Sequence, residues 1–227
     1  MTRLWLSIMV LWAWTASVTV RAAEDTAWDD CKAAEPDRVI AGCTEVLRRG
    51  FGEPLANRAV AFYNRGLAHF RKGDADSAIA DYSTAIRLNP QYAFAFNNRG
   101  TAYFAQGDTD RTIADYSAAI HLNPTDPQAF NNRGIGYFEK GDWDRAIADH
   151  SEAIRLDPKY ADAYNNRGNA YFKKSDWDRA IADYSEAIRL KPDFVEALYN
   201  RGLANARKGD PDRANADFAA AERLKAR

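Results

Sequence analysis

The sequence is expected to fold as an all-α chain, a solenoid of stacked antiparallel helix pairs. The tripeptide Asn-Arg-Gly begins at Asn64, Asn98, Asn132, Asn166 and Asn200, so five copies recur every 34 residues. A fixed period of this length belongs to stacked supersecondary units, not to one globular core. Within each period two segments carry apolar residues at helical spacing. Gly-Asp separates those segments at Gly73, Gly107, Gly141 and Gly209, and Pro follows the second at Pro90, Pro124, Pro158 and Pro192.

The chain starts differently. Arg3 gives a short positive start, and Leu4 to Val20 holds 17 residues without a charge. Val20, Arg21 and Ala22 offer a cut after Ala22, so residues 1–22 read as a signal peptide. The alternative is a retained anchor, because 17 residues is near the lower limit of a membrane span. After cleavage no span remains. The protein is then exported, and the expected compartment is the periplasm. Without Arg3 and Arg21 the chain keeps 29 basic and 32 acidic residues. That balance gives no general attraction to nucleic acid or to anionic membrane.

Residues 23–58 are expected to form a degenerate helical hairpin and a linker. Asp37-Arg38-Val39-Ile40-Ala41 echoes Asp178-Arg179-Ala180-Ile181-Ala182. In that register Cys43 takes the Tyr184 position, and Cys31 falls near the end of a short first helix. These are the only two cysteines. In an oxidising compartment they would form a disulfide; in a reducing one, two buried thiols. The stretch from Gly50 to Pro54 leads into the first repeat.

The array fills residues 59–227, divided 59–92, 93–126, 127–160, 161–194 and 195–227. In the fourth unit Ala163, Tyr164, Gly168, Ala170, Tyr171 and Phe172 make an apolar helix face. Asp176 suits the N-cap of the second helix, where a carboxylate accepts from free backbone N–H groups. Ala180, Ile181, Tyr184, Ala187 and Ile188 make the second face. In the other units Gly precedes that Asp, a residue able to take the left-handed position after a helix; here Ser175 replaces it. In the last helix Asn215 stands where Ile79, Ile113, Ile147 and Ile181 stand before it. That polar face reads as the cap a stack requires, or as one specific buried contact.

The small Gly168, aromatic Tyr171, Ala180, aromatic Tyr184, Ala187 and Pro192, with their equivalents one period away, resemble the tetratricopeptide repeat (TPR) family. His69 and Asn205 depart in the Tyr171 column, and His150 in the Tyr184 column. The resemblance implies a right-handed solenoid, five units long, whose first helices line a concave groove that takes a peptide or a partner's helix. On that basis the expected partner contacts are Asn97, Asn131 and Asn165, a Tyr at each end (Tyr63, Tyr199), and Thr101 and Asn169 one turn farther. Amides both donate and accept, so they can bond a peptide backbone whatever its side chains. The Asn64 column either joins them or ties neighbouring repeats in register. The Phe70, Phe104, Phe138 and Phe172 column is either core or groove. Family members that clamp a chaperone's terminal carboxylate use a Lys in the Asn97 column; its absence here argues against that clamp.

Two charged columns share the period: Arg65, Arg99, Arg133, Arg167 and Arg201, and Asp81, Asp115, Asp149, Asp183 and Asp217. They are expected to pair as an Arg–Asp ladder that fixes repeat orientation; the rival is an anion-binding basic stripe. No nucleophile, base and orienting group share a register, since His69, His121 and His150 fall in three different columns. No cofactor motif or metal-ligand spacing is present. The functional expectation is a non-catalytic scaffold for a protein or peptide in the cell envelope. The alternatives are a self-assembling module and a carbohydrate-associated envelope protein.

Overall fold

The computed structural model describes residues 26–226; the expected signal peptide and its cut lie outside them. The described chain is all-α and divides into two compact units, Met1–Gln106 and Gly107–Arg227. The first unit holds a helical segment at residues 26–31. It continues with α1 (Pro36–Arg48), a 3-10 turn (Gly50–Gly52), α2 (Leu55–Arg71), α3 (Ala75–Leu88) and α4 (Ala93–Ala105). The second unit holds α5 (Thr109–Leu122), α6 (Pro127–Glu139), α7 (Trp143–Leu156), α8 (Ala161–Lys173), α9 (Trp177–Leu190), α10 (Val195–Lys208) and α11 (Pro211–Lys225).

Local chemistry sets each hairpin. Gly73, Gly107, Gly141 and Gly209 sit at φ +76° to +88°, and Ser175 takes the same place at φ +60°. A side chain in that region costs about 1–2 kcal/mol, so the fourth unit carries strain that the others avoid. The next Asp caps the second helix: Asp142 accepts from the Arg145 amide at 3.1 Å, and Asp176 from the Arg179 amide at 3.1 Å. Second helices end at Leu88, Leu122, Leu156 and Leu190, two residues short of each Pro.

The two helices of a pair approach through glycine. A Cβ at Gly168 would lie 2.7 Å from the Tyr184 ring, and one at Gly202 would lie 2.6 Å from the Phe218 ring. Real Cβ atoms do not come so close, so the aromatic of the second helix needs the missing side chain opposite it. Alanines such as Ala146, Ala180 and Ala204 fill the rest of the interface and are fully buried.

Cys31 and Cys43 are joined as a disulfide. It lies in a buried cluster with Ala27, Val39 and Val46, capped by Trp28 and Ile40. Seven buried residues make a small core, and a cross-link compensates by restricting the unfolded chain. Asn215 is exposed, as a polar end face requires.

Candidate functional site

The arginine column is consumed by intramolecular bonds. Arg167 donates through Nε and Nη2 to both carboxylate oxygens of Asp183, each at 2.8 Å. Its third nitrogen, Nη1, donates to Ser151 Oγ at 3.1 Å, on the second helix of the preceding repeat. Arg133 does the same with Asp149 and Ser117, and Arg201 with Asp217 and Ser185. In the first unit Arg65 holds Asp81 and Thr44, and Arg99 donates to Ser83 at 2.9 Å. Arg99 and Asp115 belong to different units. The guanidinium also stacks over the aromatic three residues earlier: Phe62, Phe96, Phe130 or Tyr164, at 5.4–5.7 Å. A planar fork is suited to this combination of bidentate bonding and stacking. With their nitrogens bonded to carboxylate and hydroxyl, the four paired arginines do not form an anion-binding stripe.

The recurring serines gain an explanation here. Ser117, Ser151 and Ser185 each donate to the carbonyl four residues earlier at 2.7 Å. Their lone pairs then face the incoming arginine. Their shared period with the arginines was the available signal.

The asparagine columns require a correction. Asn97, Asn131 and Asn165, expected to be exposed in the groove, are only 7%, 4% and 2% exposed. In the second unit, Asn131 and Asn165 turn toward the next repeat, whose first helix reaches them. Asn166 Nδ2 donates to Asn131 Oδ1 at 3.1 Å, and Asn200 Nδ2 donates to Asn165 Oδ1 at 3.2 Å. The Asn64 column is therefore the donor of an inter-repeat tie, and in the second unit the buried column accepts. In the first unit Asn98 donates to the Tyr63 hydroxyl at 2.8 Å, and Asn64 to the Cys31 carbonyl at 3.3 Å. Tyr63 is thus half-buried, packed against Tyr92 with ring centres 4.8 Å apart.

His150 shows how a buried position is neutralised. Its Nδ1 lies 3.1 Å from Asn131 Oδ1, which can only accept, so Nδ1 carries the proton. Burial, aided by the charge of Arg167, pushes the imidazole down to about 3. The group stays uncharged and serves packing.

What remains open is a cleft in the second unit. It measures about 240 Å³ and lies over the first helices α6, α8 and α10. Phe138, Phe172 and Leu203 supply apolar walls, with Asn169 and Asn200 also lining it. Glu196 and Lys173 bring opposite charges to it. Asn169 Oδ1 accepts from both Tyr184 Oη (2.8 Å) and Asn200 Nδ2 (3.1 Å). Those two bonds fix the amide's orientation, and its Nδ2 finds no partner among the described residues. Two expected residues stand elsewhere. Tyr199 is 46% exposed, with its ring 5.2 Å from Phe218. Thr101 bonds the Asn97 carbonyl at 3.2 Å.

Among the described residues no group of three or more His, Cys, Asp or Glu could hold a metal, and no helix is long and apolar enough to cross a membrane.

This stack of helix pairs, with open space left over its first helices, is that of a helical-repeat interaction module. A TPR repeat model matches residues 66–107, 136–175 and 168–209, and a tetratricopeptide repeat model matches residues 93–126; the chain belongs to the TPR family. Members of this family are in general non-catalytic scaffolds for protein interaction. The chain is similar to the crystal structure of MamA at 30% identity, covering 70% of this chain and 94% of that one, with a TM-score of 0.66. It is similar to the first TPR of Spaghetti bound to the HSP90 peptide SRMEEVD at 28% identity, covering 52% and 94%, with a TM-score of 0.52. YrrB, a TPR protein with an unusual peptide-binding site, shares the fold at 17% identity, covering 80% and 91%, with a TM-score of 0.65. A search of curated proteins gave no match.

Proposed function

We propose that this protein binds an extended segment of a partner protein across α6, α8 and α10, and acts as a non-catalytic scaffold in the cell envelope. The observation that carries this is the Asn169 amide. Two internal bonds orient it, and its free N–H group is set beside the Phe138, Phe172 and Leu203 walls. A backbone carbonyl satisfies such a donor while a side chain fills the apolar space. The peptide-bound TPR of Spaghetti supports the mode of binding. The Cys31–Cys43 bridge supports an oxidising compartment.

The test is capture of peptides from a digest of envelope proteins on the immobilised full chain. A variant carrying Asn169→Leu and Leu203→Glu should retain about a tenth or less of the captured peptides. Equal recovery, with an unchanged circular dichroism spectrum, would refute the cleft.

A second reading, self-association, is favoured by Phe51, which is fully exposed on the 3-10 turn, and by the exposed Leu55. A mass in light scattering that does not change with concentration would remove it.

A further inference from the structure

We infer that the first unit holds a separate anion pocket, built to take the terminal carboxylate of a peptide. The pocket is a cavity of about 300 Å³ between the disulfide-bonded segment, α1 and α2. That size is at the lower end of the ~300–1,000 Å³ of small-ligand sites. Its lining includes two cations, Lys32 and Arg71, with Asn64 between the elements that carry them and an aliphatic wall of Val39, Leu67 and Ala68. Among the described residues no carboxylate lines it.

Neither cation has an ion-pair partner among the described residues. Four other cations at the ends of first helices are paired with the preceding repeat, whereas Lys173 and Arg207, in the column of Arg71, have no ion pair among the described residues. Lys72 binds Asp37, Lys140 binds Asp110 at 2.6 Å, Lys174 binds Asp144 and Lys208 binds Asp178. Arg71 makes no ion pair among the described residues. Lys32 rests over the Trp28 ring at 5.2 Å, which leaves its ammonium protons available. Asp37, the nearest acidic candidate on α1, is taken by Lys72. A guanidinium and an ammonium lining one cavity can each give a charge-assisted bond to a carboxylate, and the aliphatic wall suits the side chain of the residue that bears it.

Position and rigidity support a built site. Asn64 Nδ2 bonds the Cys31 carbonyl at 3.3 Å, and so fastens α2 to the segment that presents Lys32. The disulfide fastens that segment to α1. The cations come from ahead of the repeats and from the end of α2, not from the Asn97 column. The pocket rests on the peptide-binding reading only for the source of its carboxylate.

The test uses amide resonances of the isotopically labelled full chain at neutral pH. The probe is N-acetyl-leucine, with N-acetyl-leucinamide as its uncharged twin. The carboxylate should shift the Asn64 side-chain amide and the Ala68 amide saturably, and the amide twin should bind about tenfold more weakly, the worth of one charge-assisted bond. Arg71→Gln and Lys32→Gln should each weaken the carboxylate by a similar factor, while resonances elsewhere stay in place. Equal response to both probes would overturn the pocket, as would indifference to both substitutions. Asn169 and Asn200 report on the second-unit cleft in the same spectra. Shifts there, with none at Asn64, overturn the pocket and leave the cleft reading intact.

Discussion

In the second unit, Asn166 and Asn200 reach back to amide oxygens of Asn131 and Asn165; in the first, the equivalent Asn98 and Asn64 reach a tyrosine hydroxyl and a backbone carbonyl. The donor is the same at all four positions and the acceptor differs. Repetition in this chain therefore marks the group that ties repeats together. Variation beside it, Tyr63 against Asn131 and Asn165, reports what each tie happens to reach. The units differ again in their reinforcement. The first begins with a small core and a cystine, whereas the second shows the full arginine arrangement in three successive repeats.

The largest expected effect tests whether the units share one energetic logic. Asp81→Ala and Asp183→Ala each leave a largely buried arginine without its carboxylate, in matching geometry. Each should cost about 3–5 kcal/mol, read by denaturant unfolding. A much smaller loss in one unit would show that the matching contacts are not matched in energy.

Reducing the disulfide should separate the units. The closed loop is short, so the loss is about 2–3 kcal/mol. Hydrogen exchange should accelerate across α1 and leave α7 to α10 unchanged. Acceleration in the second unit would show that the cross-link acts beyond its own hairpin.

A pH effect from a buried histidine should appear in the second unit. The His150 imidazole is held near 3 when folded, against 6.5 as its ordinary value. The unfolded chain takes up a proton below 6.5 that the folded chain refuses. Stability is thus lost as pH falls through that value, by about 1.4 kcal/mol per unit. His150→Tyr, the residue most repeats carry there, should flatten urea midpoints between pH 7 and 5.5. An unchanged slope would mean that other groups dominate.

The smallest effect concerns the amide tie itself. Asn200→Ala removes bonds to Asn165 and Asn169 and should cost about 1 kcal/mol. It should also free Asn169 to reorient, so cleft affinity should fall more than stability does. Equal losses would make the tie purely structural.

The hairpins were readable because Gly, Asp and Pro act locally, within one turn of the residue that matters. The Arg–Asp pairing was readable because two columns share one period and opposite charge. The burial of Asn97, Asn131 and Asn165 was not. One step around a helix, about 100°, separates that column from Asn64. Which of the two faces open space depends on how the next repeat packs, and periodicity is silent on that. Asn169 was named for lying one turn along the same face. Its partners, Tyr184 and Asn200, come from two other helices, so its role became visible only in three dimensions.

The serine that receives each arginine has a consequence for how long such a chain can become. Every repeat hands one N–H to a hydroxyl on the repeat before it. At the matching position α11 offers Ala219, which has no hydroxyl. A duplicated 34-residue copy placed between two internal repeats would find both an acceptor behind it and an arginine ahead. The same copy appended after α11 would leave an arginine nitrogen unmatched. Gene duplication can thus lengthen this array from within at little energetic cost, while growth from the far end is penalised.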